Sequence, residues 1–248
     1  MRAMPSVPSK TTSKRATASD EAKAGFAGFA DTQMKFFKAL AKHQDRDWFA
    51  KNKGAFEEGW SKPMALLLDE ARAKIDGAYP DCDLEAPKVF RLHRDVRFSS
   101  DKSPYKTNVS GVIAARKGLK VTEAPAALYV QLGEECIVGA GLYMMDAGQL
   151  AKYRAAVLDD AKGKELDKIV KGLEKKGFSF MAGGELKSAP RGVDPAHPRI
   201  ELLKKKGLVA AAGDIPMAKL TSREFLDWVA AQGKLMAPLV RWLVFTTA

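Results

Sequence analysis

The feature that most constrains this chain is a change of hydrophobic period, from helical to alternating and back to helical. Residues 31–77 carry apolar stripes at helical spacing. Asp31 is placed to cap a helix through about Lys42, with Met34, Phe37 and Ala41 on one face. Asp45 is placed to cap a second helix running through Trp48, Phe49 and Phe56. Ser61 precedes a third, with Pro63 in its first turn and Met64, Leu67, Leu68, Ala71 and Ile75 as its stripe. Gly77 ends it. The period then drops to two, and Val89 to Phe98, Asn108 to Ala115, Ala127 to Leu132 and Cys136 to Met145 read as four consecutive strands. Leu132 to Cys136 is the turn of a hairpin. Helices return at Ala147 to Leu158, behind Asp146, and at Lys164 to Lys175. A short strand is expected at Glu185 to Ser188, a short helix at His197 to Lys205 and a strand at Leu208 to Ala212. Thr221 to Glu224 reads as a capping box opening a helix to Gln232, and Leu235 to Phe245 as a final helix.

Helices, a run of strands, then helices predict an α+β fold. Its sheet is mainly antiparallel, about four to six strands, flanked by N-terminal and C-terminal helices. No Pro/Gly/Ser linker or internal repeat interrupts residues 25–248, which reads as a single globular α+β domain. Residues 1–24, basic and poor in acids, read as a disordered tail. That segment has no apolar h-region, and the chain has no uninterrupted apolar run approaching the roughly 18 residues of a membrane span. Two cysteines, Cys82 and Cys136, make no disulfide scaffold and fit a reducing cytoplasm.

The formal net charge is +11, and its location matters more than its size. Residues 1–23 hold five Lys/Arg against Asp20 and Glu21. Residues 88–120 hold Lys88, Arg91, Arg94, Arg97, Lys102, Lys106, Arg116, Lys117 and Lys120 against Asp95 and Asp101 alone, a net +7. The remainder is close to neutral. A basic excess concentrated this way attracts phosphate, nucleic acid or acidic substrates.

Period two applied to Val89–Ser99 separates two faces. Phe90, Leu92, Arg94, Val96 and Phe98 form a core face with one charged intruder, Arg94, which needs a carboxylate or carbonyl partner. Val89, Arg91, His93, Asp95, Arg97 and Ser99 form the other, with two guanidinium forks, an imidazole and a carboxylate in a row. The following loop, Ser99 to Pro104, is dense in turn formers and offers hydroxyls, a lysine and backbone N–H groups for an oxyanion. It has no glycine and is no P-loop. In the later strands, Tyr129 and Gln131 share one face, as do Ile137, Gly139, Gly141, Tyr143 and Met145. Two glycines on one face mark the close approach of a ligand or of neighbouring backbone. His43, His93 and His197 have no metal-ligand spacing, so no zinc site is expected. Asp194 and His197 share a rigid loop that reads first as a structural turn.

Two functional readings follow, and one structural. In the first, Arg91, Arg97, Ser99, Asp101, Lys102, Tyr105, Lys106, Tyr143 and His197 bind an anionic, phosphate-bearing small molecule or nucleic acid, with Tyr105 as a stacking ring. In the second, a hydrolase or transferase acts on a phosphorylated or carboxylated substrate, with His93 or Asp95 as general base. In the third, Arg94, Asp95, Asp101 and Tyr105 are a buried polar network that only holds the loop.

The motif Arg94-Asp-Val-Arg-Phe-Ser-Ser-Asp-Lys-Ser-Pro-Tyr-Lys106 resembles the signature of the domain of unknown function 2461 family. Asp45–Lys53, Gly139–Tyr143 and Pro190–Pro198 also match it, so the resemblance spans roughly residues 26–245. It departs at His43-Gln44-Asp45, where the family usually has asparagines, and at Met145, often a proline there. The resemblance implies a shared fold and one shared polar site; it implies no activity or cofactor.

Overall fold

A computed structural model of the chain describes residues 25–97, 100–116 and 123–247. The N-terminal tail expected over residues 1–24 lies outside them, as do Phe98 and Ser99.

Helix α1 spans Lys35–Lys42 and α2 Arg46–Phe56. Asp45 caps α2 by accepting the Trp48 N–H at 2.7 Å. Asp31 accepts the N–H groups of Gln33 and Lys35, so it organises the turn ahead of α1 rather than its first residue. The second and third expected helices are continuous. A π turn at Glu57–Ser61 carries α2 into α3, Lys62–Ile75, and Ser61 itself is helical. Pro63 supplies no N–H to the Gly59 carbonyl, and the Ala30 N–H donates to it instead, at 3.1 Å. A tertiary partner thus replaces the bond whose loss suggested a break.

The strands are β1 (Lys88–Val89), β2 (Asn108–Ala114), β3 (Ala126–Gly133), β4 (Ile137–Leu142), β5 (Ser179–Met181) and β6 (Leu208–Ala211). They form one sheet in the order β1-β2-β3-β4-β6-β5, antiparallel at every pairing. The fold is α+β, as expected. The short strand expected at Glu185 to Ser188 is a single bridge between Glu185 and Lys205; the strand beside β6 is Ser179–Met181.

Between β4 and β6 run α4 (Ala147–Leu158), α5 (Asp160–Glu174) and the short α6 (Ile200–Lys204). Asp146 and Gln149 complete the capping box of α4. The two C-terminal helices expected from sequence are one, α7, Glu224–Thr247, with Pro238 on its exposed side. Alternate residues of the strands (Val109 and Ile113, Val130 and Leu132, Val138 and Ala140, Leu208 and Ala210) join α3 and α7 in one hydrophobic cluster extending from Phe26 to Val244. The opposite face of the sheet carries Ser110, Val112, Tyr129, Gln131, Ile137, Gly141 and Val209, and a concavity opens on it. Among the described residues, no helix is long and apolar enough to cross a membrane.

Candidate functional site

The motif is not the long strand that alternation predicted. Ladder pairing stops at Val89, with one further bond from the Phe90 N–H to Ser110 O at 2.8 Å. The chain then bends at Leu92 and pairs with itself. Leu92 O accepts the Lys106 N–H at 2.9 Å, His93 bridges Tyr105, and the Arg94 N–H donates to Pro104 O at 2.9 Å. Residues 92–94 and 104–106 therefore form a short two-stranded arm whose tip is 95–103. The bend corrects the face assignment. Val89 packs against the core and Phe90 lines the concavity on the far side of the sheet, whereas Leu92 is back in the core. Beyond the bend, alternation is visible in exposure alone: Arg91, His93, Asp95 and Arg97 are exposed, and Leu92 is buried.

Most polar groups of the tip bind one another. Arg97 grips Asp95 through two bonds, Nε to Oδ1 at 2.9 Å and Nη2 to Oδ2 at 2.7 Å. This grip holds the Asp95 carboxyl below its usual range, so it takes up a proton poorly at neutral pH. Asp101 accepts the Ser103 hydroxyl and its N–H and pairs with the Arg94 guanidinium. Those bonds, the Ser103 hydroxyl first among them, pull its pKa down to about 2. Lys102 Nζ donates to Val96 O at 2.9 Å. Two of the donors expected to cradle an oxyanion, the Ser103 hydroxyl and the Lys102 ammonium, are thus engaged within the tip. The Arg94–Asp101 pair is partly solvent-exposed, so the tip is not a buried network. Ser99 lies outside the described residues.

Tyr105 is 3% exposed, its ring 4.6 Å from that of Phe49 and 5.0 Å from that of His93. It offers no face for a base to stack on; it is the wedge between the arm and α2. Its N–H donates to Gln44 Oε1 at 3.1 Å. That tether was not read from the sequence, although position 44 is where the chain departs from the asparagines of the resembled family.

Lys106 is placed differently. It is half-buried, its Nζ 5.6 Å from the centroid of the Phe90 ring, and it lines the concavity, which encloses about 640 Å³. Among the described residues neither Lys106 nor Arg91 has an ion-pair partner. Burial, and then the positive charges of Arg91 and Arg94, lower the Lys106 pKa. The same wall holds Ser110, Tyr129 and Gln131, and the Tyr129 hydroxyl donates to Gln131 Oε1 at 2.7 Å. Burial raises the Tyr129 pKa against a weaker opposing hydrogen bond from Ser110. Apolar side chains (Val112, Ile137, Val209 and Met181 among them) supply most of the remaining wall. Tyr143, 61% exposed, closes the opposite end beside Met144.

Gly139 and Gly141 owe their identity to packing by β6, not by a helix. A Cβ on Gly139 would lie 2.8 Å from Ala210 O, and one on Gly141, whose φ is +131°, 2.2 Å from Leu208 O. His197 is not brought to the motif. It precedes α6 and β6, the latter toward the sheet edge away from β1, and accepts the Arg199 N–H on Nδ1 at 3.1 Å. Of the residues singled out in the sequence, the concavity gathers Lys106 and Tyr143, with Tyr129 and Gln131. Arg91, His93, Asp95 and Arg97 stand on the arm outside it. Phe90 and Ser110 were missed because their place depends on the bend and on the register of β1 with β2.

A second groove, about 580 Å³, lies between α5 and α7 and is lined by Lys162, Lys168, Lys176 and Arg241 around Trp242. Arg241 there is paired with Asp81 at 2.6 Å, and the motif contributes nothing to this groove. Among the described residues, no group of three His, Cys, Asp or Glu stands close enough to hold a metal ion.

The family model described as "Conserved hypothetical protein (DUF2461)" matches residues 32–242, and the chain belongs to that family. No curated protein and no solved structure matches the chain.

Proposed function

We propose that this chain binds an anionic small molecule, phosphate-bearing, with its charge at Lys106 and Arg91 and its body along the sheet face toward Tyr143. The observation that carries this reading is the state of Lys106. A half-buried ammonium without an ion-pair partner among the described residues, crowded by two guanidinium groups, is electrostatically unfavourable in the empty protein. An arriving anion relieves that repulsion, so binding energy is largest where charge is already concentrated. The mostly apolar wall, with a few hydroxyl and amide groups and one carboxylate, Glu135, suits a compact organic ligand whose anionic end lies at Lys106. Nucleic acid is the weaker candidate, because Tyr105, the ring expected to stack on a base, is buried. The enzyme reading gains no comparable support, since Asp95 is held by Arg97 and the His93 ring packs on Tyr105.

The test is thermal unfolding against a panel of nucleotides and phosphorylated metabolites, repeated with Lys106→Met. A ligand at a hundred times its Kd adds about 2.7 kcal/mol to stability, which is roughly 5–10 °C for a chain of this size. Removing one charge-assisted bond should weaken binding about ten- to a hundredfold. A panel in which no anion shifts the midpoint overturns the proposal.

A further inference from the structure

We propose that Lys106 is a nucleophilic amine that condenses with the aldehyde or ketone of an anionic ligand in the concavity, forming an imine. The inference rests on the binding reading above and adds a covalent step to it. Three placements carry it. Among the described residues, Lys106 is the one lysine whose side chain lines the sheet-face concavity. Its Nζ rests against the Phe90 ring without a carboxylate partner among the described residues, so no ion pair locks it as an ammonium. Arg91 and Arg94 stand close enough to oppose its charge.

These effects compete. The Phe90 ring favours the charged form, by about 0.5–1 kcal/mol at sites open to water. Burial, and after it the positive charges of Arg91 and Arg94, act in the opposite direction and lower the Lys106 pKa. A lysine desolvated and placed beside other cations is the arrangement that frees an amine for attack on a carbonyl. Arg91, which has no ion-pair partner among the described residues, remains charged at any pH of interest and is the cation beside Lys106 for the ligand's anionic group.

The step balances without an outside oxidant or reductant. The neutral amine attacks the carbonyl carbon, so a C–N bond forms while the C–O π bond opens. The carbonyl oxygen then departs as water, carrying both amine hydrogens, and leaves a C=N bond. The hydroxyls of Ser110 and Tyr129 line the same wall and are the groups present to hydrogen-bond the departing oxygen.

The experiment uses the full chain with pyridoxal 5′-phosphate, a phosphate-bearing aldehyde, as probe. Pyridoxine 5′-phosphate is the control, with the same ring and phosphate but an alcohol in place of the aldehyde. After borohydride reduction, peptide mass spectrometry locates the adduct, and thermal unfolding follows the control compound. The expected result is an adduct concentrated on Lys106, diminished by excess control compound and lost in Lys106→Arg. Adduct spread over exposed lysines in proportion to their exposure overturns the proposal. Stabilisation by the control with no Lys106 adduct overturns the amine chemistry and leaves anion binding standing. No stabilisation and no Lys106 adduct overturns both. Because the adduct is mapped on the unsubstituted protein, the outcome does not depend on how a variant folds.

Discussion

Replacing Gly141 by alanine separates two explanations for the glycine pair on β4: room for a ligand, or room for β6. The backbone at Gly141 has φ +131°, outside the regions an L-residue adopts readily, which alone costs roughly 1–2 kcal/mol. The added Cβ would stand 2.2 Å from Leu208 O and 2.9 Å from Val209 Cα, both backbone atoms that no rotamer change can move. Relief requires β4 and β6 to part over a register of only four pairs, Gly139–Ala211 to Leu142–Leu208. Overpacking of this kind costs about 1–3 kcal/mol. The sum is about 3 kcal/mol, a large share of a typical stability of roughly 5–15 kcal/mol, and should lower the midpoint by about 6–12 °C. Two controls isolate the causes. Gly177→Ala meets nothing within 4 Å but has φ +85°, so only backbone strain remains, about 1 kcal/mol. Gly54→Ala lies within α2 with open space around it and should stabilise by about 0.5–1 kcal/mol. The assay is urea and thermal unfolding of the three variants beside the parent chain. A Gly141→Ala protein within about 0.5 kcal/mol of the parent would refute the close-approach argument and return the glycine to the ligand.

Three further outcomes are expected. The Asp101 carboxyl should titrate near 2 rather than at its ordinary 3.8. Its folded pKa is lowered, so its contribution to stability is present above the ordinary value and is lost as pH falls through the folded one. NMR titration reads this directly: Ser103→Ala should raise the midpoint, and a parent value of 3.8 would contradict the bonding described for the tip. Tyr79→Phe removes a buried hydroxyl that lies 3.0 Å from Ala127 O and 3.1 Å from Gly233 O, and should cost about 1–2 kcal/mol in urea unfolding; a neutral change would mean those carbonyls find other donors. Gln44→Ala leaves the Tyr105 N–H without its acceptor, at about 1–3 kcal/mol. Its hydrogen exchange should quicken at Tyr105, and unchanged exchange there would show that the tether does not hold the arm.

Much of the layout was legible because it rests on local patterns. The Asp146 cap of α4, the hairpin from Leu132 to Cys136 and the bounds of β2 and β3 follow from residue order to within about one position, while β4 ends three residues before the expected Met145. The need of Arg94 for a carboxylate was also legible, and Asp101 meets it seven residues on. The break expected ahead of Pro63 failed because of a distant contact, and the two C-terminal helices run on as one through Pro238. A proline penalty is a local expectation, and it is offset where the orphaned carbonyl finds a distant donor, as Gly59 finds Ala30. The site was legible in its residues and not in its shape. Arg91, His93, Asp95 and Arg97 are exposed as alternation required, yet the bend at Leu92 sets them outside the concavity and turns Phe90 and Lys106 toward it.

By itself the sequence determined the fold class, the order of most elements and the concentration of charge in one segment, because periodicity and composition act over a few residues. Only the tertiary structure decided that Lys106 has no ion-pair partner among the described residues, that Gly141 answers to backbone and that the Tyr105 ring is buried. Those outcomes depend on partners far along the chain: Tyr105 and Gln44 are sixty-one residues apart, and Gly141 faces Leu208 on the neighbouring strand β6. Burial and pairing are set by such contacts, and no local pattern encodes them.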